Sequence, residues 1–153
     1  MLDQIDARLV PLLQSDSSIS NAELARQAGL SASACWRRVK ALEDRGVITG
    51  YGAMVDPAAA GRGFEAIVHV RMVRHDKRQV DDFIRAVSLR DEVEEAYATT
   101  GQSDYHLRIA CADLAAYNRF LEEFLFVQPA VASAETNVVL RAVKRRRGRG
   151  RMV

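Results

Sequence analysis

The feature that most constrains this chain is a change in hydrophobic spacing at residues 56–63. Before this segment, apolar residues recur at intervals of three and four, as they do on one face of an α-helix. After it, short runs rich in valine and isoleucine alternate with segments of helical spacing. This pattern is typical of strands that alternate with helices. The segment reads DPAAAGRG, and its proline and glycines interrupt both patterns. The sequence therefore predicts two domains, at residues 1–55 and 64–143, joined by a linker at residues 56–63.

The first domain is predicted to contain three short helices. Ser20, with Glu23 three residues later, forms a capping box at the start of the second helix, and Gly29 ends that helix. Ser31 then caps the third helix. Two helices joined by a short turn that contains glycine form a helix-turn-helix. The stretch VITGYGAMVD after Gly46 predicts a short hairpin or wing followed by one strand, so we interpret residues 1–55 as a winged helix-turn-helix.

The third helix has the pattern of a DNA-binding surface. Cys35, Val39 and Leu42 recur at spacings of four and three, so they are predicted to face the core. The remaining residues are cationic or hydroxylic, and the first turns of a recognition helix meet base edges in the major groove. We expect Ser33 and Arg37 to contact bases, and Arg38 and Lys40 to contact phosphates. The candidate DNA-binding residues are Ser31, Ser33, Arg37, Arg38 and Lys40.

Three other features near or beyond this surface have competing interpretations. Trp36 is predicted to pack against neighbouring segments rather than stack on bases, because the bases of a duplex stay stacked. Arg45 lies in the last turn, where solvent and the helix dipole favour a cation. The tail at residues 144–153 cannot bury apolar surface and is expected to be disordered, as a solvated end or as an arm that binds phosphates without sequence preference. From Arg141 onward there are seven basic residues and no acids, which leaves residues 1–140 net acidic.

The second domain has the order β-α-β-β-α-β, which is the ferredoxin-like arrangement of a four-stranded antiparallel sheet with both helices on one face. The fold class is therefore α+β. We expect the other sheet face to be too apolar to remain in water, so a second copy of the chain is predicted to cover it in a symmetric dimer. The strands and helices are predicted in FEAIVHVRMVR, KRQVDDFIRAVSL, VEEAYATTG, DYHLRIAC, DLAAYNRFLEEFL and ASAETNVVLRAV.

The chain resembles the Lrp/AsnC family of transcriptional regulators from Leu2 to Val143. The resemblance rests on the helix-turn-helix sequence ISNAELARQAGLSASACWRRVKALEDRG, the following GVITGY, the linker, the βαββαβ order, and TTGQSDYHLRIACADLAAYNRFL. It implies a sequence-specific DNA-binding regulator whose C-terminal domain is the RAM domain of that family. It also implies homodimers joined through the C-terminal sheets, assembly into tetramers or octamers, and a small amino-acid effector bound between subunits.

The same resemblance implies an effector loop between the second and third strands of the C-terminal domain. The family pattern G-x-x-D-Y is matched by Gly101, Asp104 and Tyr105. An amino acid needs donors for its carboxylate, such as a glycine N–H or a hydroxyl, and an acceptor such as Asp104 for its ammonium group. From composition alone, a polar hairpin turn is the favoured interpretation of this stretch, and only the resemblance favours an effector loop. The candidate effector-binding residues are Thr99, Thr100, Gly101, Ser103, Asp104 and Tyr105.

The sequence of 153 residues supports other classes of function less well than it supports a DNA-binding regulator. An enzyme related to tetrapyrrole decarboxylases is the main alternative, but His106 and Arg108 would have to act without a catalytic set. The strands lack the basic and aromatic pattern of an RNA-binding sheet. Cys35 and Cys111 belong to no CxxC pair, so we expect buried thiols, no metal site and no cofactor. The chain contains neither a predicted membrane span nor a signal peptide, so we expect a cytoplasmic protein.

Overall fold

The computed structural model describes residues 2–53, 55–73 and 77–144. These residues form two compact units, one that precedes residue 54 and one that extends from residue 55 to residue 143. Each unit has its own cluster of buried apolar side chains. The segment predicted as a linker begins with a hydrogen-bonded turn, in which the N–H of Ala60 donates to the Asp56 carbonyl at 2.9 Å. The N–H of Arg62 donates to the Pro57 carbonyl at 2.7 Å.

The first unit contains three helices: α1 at Asp6–Ser15, α2 at Asn21–Ala28 and α3 at Ala32–Asp44. Their apolar stripes meet in a small core, as the sequence spacing predicts. Leu9, Cys35 and Leu42 have no exposed surface at all. The core residues are Leu9, Leu24, Ala25, Ala28, Cys35 and Leu42, with Val39 and Ile48 packed against them.

Local capping interactions set the turn between α2 and α3. The Ser20 hydroxyl accepts a hydrogen bond from the Glu23 N–H at 3.2 Å and starts α2. Gly29 ends α2 with φ +71°, a left-handed conformation that glycine adopts without steric cost. The Ser31 hydroxyl accepts from the Ala34 N–H at 3.3 Å and starts α3. The predicted helix-turn-helix and its caps are confirmed.

The segment after α3 differs from the prediction. No strand forms among the described residues between 45 and 63, so the predicted hairpin and strand are wrong there. The N–H groups of Val47 and Ile48 instead donate to the Leu42 carbonyl at 2.9 and 3.1 Å. A strand needs a neighbouring strand to satisfy its backbone groups, and the described part of the first unit provides none. Gly50 and Gly52 further disfavour an extended ladder.

The second unit is a four-stranded antiparallel sheet in the order β2-β3-β1-β4. This order confirms the predicted ferredoxin-like fold, with β1 and β3 at its centre. Between the strands are α4 and α5, and a π-helical turn at Leu121–Leu125 extends α5. The elements are β1 Phe64–Met72, α4 Lys77–Ser88, β2 Val93–Ala98, β3 Tyr105–Cys111, α5 Leu114–Phe120 and β4 Val131–Val138.

Alternation along the strands separates the two faces of this sheet. Ala66, Val68 and Val70 of β1 are fully buried, and they pack in one cluster with Phe83 of α4 and Phe120 of α5. The core therefore lies between the sheet and its two helices. This packing holds β2 and β3 in a fixed register, and it thereby positions the loop that joins them.

The opposite face of the sheet is mostly polar, whereas the sequence predicts an apolar face. The Arg108 guanidinium donates to Glu95 at 2.9 Å and forms an ion pair with Glu94 at 2.8 Å. The Nδ1 atoms of His69 and His106 lie 2.7 Å apart, so one proton can bridge them. These groups bond to one another, and the expectation of an apolar face that must be covered is wrong. The polar residues on this face are Glu65, His69, Arg71, Glu95, His106, Arg108, Ser133, Glu135 and Asn137.

Candidate DNA-binding and effector sites

The outward face of α3 holds three of the candidate DNA-binding residues. Ser33, Arg37 and Lys40 are exposed, and their spacings of four and three place them in one stripe along the helix. Cys35 and Leu42 lie on the opposite side, fully buried in the core. The predicted division of α3 into a core face and an outer face is confirmed.

Ser31 and Ser33 lie together at the start of α3. Their hydroxyl oxygens are 3.3 Å apart. The Ser31 hydroxyl already accepts the N–H of Ala34, so its first role is to cap the helix. Ser33 is in the first turn, where the side chains of a recognition helix can reach base edges or phosphates.

Arg38 joins α3 to α1. Its guanidinium donates to the carboxylate of Asp3 and, at 3.1 Å, to that of the buried Asp6. Arg45 donates to the other oxygen of Asp6, also at 3.1 Å. The hydrogen bond to Asp3 raises the pKa of Arg38, and the N–H of Asp6 together with Arg38 lowers the pKa of Asp3. To reach a phosphate, Arg38 would have to leave these carboxylates.

The two remaining candidate cations differ in their partners. The Lys40 ammonium lies 3.3 Å from the Asp44 carboxylate and 3.4 Å from that of Glu43, and the bond to Asp44 raises its pKa. Arg37 makes no hydrogen bond or ion pair with the part of the chain that the structure describes. Its exposed guanidinium keeps all of its donors for a ligand. Of the candidate cations on α3, Arg37 is therefore best placed to bind DNA.

Trp36 contradicts the packing prediction, because its side chain is 60% exposed. Helix geometry explains the error. Trp36 follows Ser33 by three residues and precedes Lys40 by four, so it lies on the outward stripe. Its neighbour Cys35 is buried, but consecutive residues of a helix point about 100° apart. The spacing was present in the sequence, and it would have added Trp36 to the outer surface.

The segment beyond α3 returns to that helix through Tyr51. The Tyr51 hydroxyl donates to the Glu43 carboxylate at 2.8 Å. Burial, together with this carboxylate, raises the pKa of Tyr51 to about 12. Glu43 thus interacts with both Lys40 and Tyr51, and it holds the end of α3 against the chain that follows.

The candidate effector residues form the loop between β2 and β3 and the first position of β3. The Thr99 N–H donates to the Asp104 carbonyl at 2.9 Å, and the Thr99 hydroxyl donates to the Ser103 carbonyl at 3.1 Å. Gly101 has φ +123°, a conformation that L-amino acids with side chains rarely adopt. The hydroxyls of Thr100 and Ser103 make no hydrogen bond within the described residues. The loop is thus a closed turn that presents polar groups.

Asp104 is partly occupied by the fold. One of its carboxylate oxygens accepts the Met72 N–H at 2.7 Å, while its own N–H donates to the Val70 carbonyl at 2.9 Å. These bonds tie the loop to the end of β1. The other carboxylate oxygen makes no such bond to the described residues, and the side chain is exposed. A ligand ammonium group can therefore approach it.

A mostly apolar cavity of about 240 Å³ lies between α4 and the β2 edge of the sheet. Tyr105 lines it and packs edge-on against Phe83, with ring centroids 5.5 Å apart. Of the candidate effector residues, Tyr105 alone lines this cavity. The cavity wall consists of Phe83, Ile84, Val87, Ser88, Ala96, Ala98, Tyr105 and Leu107.

The residues considered for other chemistry have structural partners. His106 bonds to His69, and Arg108 bonds to glutamates on the polar sheet face. Both cysteines are buried, and burial raises the pKa of each thiol. Among the described residues, no group of three histidine, cysteine or acidic side chains is arranged to hold a metal ion. Every described helix is too short or too polar to span a bilayer.

The fold and its surface define a class of protein: a helix-turn-helix module with an exposed recognition helix, followed by a ferredoxin-like domain. Two family models match the chain. The AsnC-type helix-turn-helix domain matches residues 2–43. The Lrp/AsnC ligand binding domain matches residues 65–149. The chain therefore belongs to the Lrp/AsnC family and is a DNA-binding transcriptional regulator.

Individual relatives agree with this assignment. The leucine-responsive regulatory protein of Haemophilus influenzae is 36% identical over 143 residues, which cover 94% of this chain and 86% of the relative. A transcriptional regulator of Neisseria meningitidis, solved in complex with L-methionine, superposes with a TM-score of 0.91 at 32% identity, covering 95% and 94% of the two chains. A feast or famine regulatory protein from M. tuberculosis, also complexed with L-methionine, has a TM-score of 0.86 at 33% identity, covering 95% and 96%.

Proposed function

We propose that this regulator reads duplex DNA with the outward stripe of α3 and that an amino acid bound at residues 99–105 controls this activity. The guanidinium of Arg37, which has no partner among the described residues, carries the first part of the proposal. Arginine pairs with guanine through two hydrogen bonds, and Ser33 lies one turn earlier on the same stripe. Arg38 and Lys40 contact phosphates only if they exchange their carboxylate partners for them.

The DNA-binding role is tested with a site selected from a random duplex library. Arg37→Ala should weaken binding to that site by roughly 5- to 150-fold and relax its base preference, because one bidentate base contact contributes about 1–3 kcal/mol. Arg85→Ala is the matched control, since Arg85 is an exposed arginine of the second unit. Equal losses at selected and random duplexes would show that Arg37 contacts only phosphates.

The tail at residues 144–153 is proposed to bind phosphates without sequence preference; its run of basic residues begins at Lys144, and residues 145–153 lie outside the described residues. Removing residues 144–153 should lower affinity for every duplex and flatten the dependence of affinity on salt. An unchanged salt slope, measured by fluorescence anisotropy from about 50 to 200 mM salt, would show that the tail only aids solubility.

We propose that the effector is a free amino acid held by residues 99–105. The hydroxyls of Thr100 and Ser103, which make no hydrogen bond to the described residues, can donate to a carboxylate, and the second carboxylate oxygen of Asp104 can accept from an ammonium group. The mostly apolar cavity beside Tyr105 supports an effector with an aliphatic side chain, because the volume of the cavity is larger than the volume of such a side chain. The complexes of the two relatives with L-methionine agree with this chemistry.

A thermal-shift screen against the twenty amino acids tests the effector. Asp104→Asn should abolish the stabilisation, because the amide oxygen still accepts the Met72 N–H but the negative charge is gone. Asp82→Asn, an exposed aspartate of α4, is the control and should respond like the parent. If Asp104→Asn and the parent gain equal stability, the loop does not bind the ammonium group.

We propose that the regulator acts as a symmetric homodimer or a higher assembly. Residues 1–56 contain six basic and seven acidic residues, so one module has little electrostatic attraction for DNA. Two linked modules bind more tightly because the second binding event is intramolecular. Light scattering after size exclusion measures the assembly directly, and a monomer at micromolar concentration would reject this proposal.

A further inference from the structure

Trp36 combines a large exposed indole with a position on the recognition stripe. It lies between Ser33 and Lys40 in the spacing of α3, next to Arg37. A single exposed apolar residue needs no explanation by itself. Here the indole and a guanidinium without a partner among the described residues occupy one face of one helix, and the other side of the helix is buried in the core. A ligand that reaches Arg37 also meets the indole.

The chemistry of the major groove supplies a partner for each of the two side chains. Base edges there present hydrogen-bond acceptors to arginine, and thymine adds a C5 methyl group, the main apolar group in the groove. Bases in an undistorted duplex remain stacked, so an indole on a helix in the groove meets base edges rather than base faces. Trp36 is in the second turn of α3, among the positions from which a recognition helix reaches those edges.

We propose that Trp36 is a specificity-determining residue that packs against thymine methyl groups beside the base pair contacted by Arg37. This inference rests on the DNA-binding role proposed for α3. The indole selects A·T pairs at its position by apolar contact, while Arg37 selects by hydrogen bonds. The two side chains together read adjacent positions of one half-site.

Deoxyuridine substitution tests the contact, because deoxyuridine differs from thymidine only by the missing C5 methyl group. Each thymine of the selected site is replaced in turn and the affinity is measured by anisotropy. The parent should lose about fourfold in affinity for each contacted methyl group. Trp36→Ala should bind more weakly and should be insensitive to the same replacements. Phe126→Ala, which removes an exposed aromatic side chain of the second unit, should respond like the parent.

Trp36 is the only tryptophan of the chain, so its fluorescence reports on this one position. Emission should change when selected duplex is added and should stay constant when the protein alone is diluted. A change on dilution without DNA would show that a second copy of the chain covers the indole, and it would overturn the proposal. Constant emission with saturating selected duplex would overturn it as well.

The tests separate this inference from the proposed DNA-binding role. Arg37→Ala reports on the role of α3, whereas deoxyuridine replacement reports on the methyl contact. If Arg37→Ala weakens binding but no replacement affects the parent, α3 reads DNA and the methyl contact is rejected. Trp36→Ala should keep the thermal stability of the parent because most of the side chain is exposed, so a loss of DNA binding is not a loss of folding.

Discussion

Replacing Asp6 by alanine removes the buried carboxylate that connects α1 to α3. The Asp6 side chain is 3% exposed, and its two oxygens accept from Arg38 and Arg45 at 3.1 Å each. A hydrogen bond to a charged group contributes about 1.5–3 kcal/mol, and removing one partner of a buried ion pair costs about 3–5 kcal/mol. The arginines are 36% and 43% exposed, so water replaces part of the lost bonding. We therefore expect Asp6→Ala to lower the free energy of unfolding by about 2–3 kcal/mol.

Urea unfolding followed by far-UV circular dichroism measures this loss, and hydrogen exchange of α1 and α3 peptides localises it. Asp44→Ala is the matched control in the same unit, because Asp44 is exposed and, among the described residues, pairs only with Lys40 at 3.3 Å. That control should cost less than about 0.5 kcal/mol. If Asp6→Ala is no more destabilising than Asp44→Ala, or if its exchange changes lie only in the second unit, the carboxylate does not hold the helices together.

Three further predictions concern local features. Gly29→Ala should destabilise the first unit by about 1 kcal/mol, because alanine is strained at φ +71°, and the urea midpoint measures this. Arg26 and Gln27 lower the pKa of Glu23 from 4.5 to about 2, so its ion pair stabilises the fold above pH 4.5 and loses that contribution as the pH falls towards 2. Carbon-13 NMR titration of the Glu23 carboxyl group should show this low midpoint, and Arg26→Ala should raise it. Cys35 and Cys111 should resist a thiol reagent at neutral pH until denaturant is added, because burial raises the pKa of both thiols.

The elements that could be predicted depend on interactions between residues close in sequence. The caps at Ser20 and Ser31 and the glycine at residue 29 act within three or four residues, so their spacing identifies the helix-turn-helix. Alternating and helical periods likewise identify the ferredoxin-like order. The prediction extends the last strand to residue 143, but the strand ends at Val138, because β1, its neighbour in the described sheet, begins at Phe64.

What the spacing did not reveal concerns partners distant in sequence. The phosphate contact of Arg38 stays a prediction, but its guanidinium is bound by Asp3 and Asp6, more than thirty residues earlier. The polar sheet face was missed because its ion pairs join different strands, as Arg108 does with Glu95. The hairpin after α3 was predicted from composition, although a strand forms only where another strand pairs with it.

The sequence by itself determined the two-domain order, the helix boundaries near their caps, and the core face of α3, because periodicity and capping are local. Only the tertiary structure decided which charges remain available. It shows that Arg37 has no partner in the part of the chain that the structure describes, that Arg38 is bound by Asp6 of α1, and that one oxygen of Asp104 is bound to the end of β1. A charged side chain pairs with whatever the fold brings within about 4 Å, and that distance depends on packing rather than on spacing along the chain.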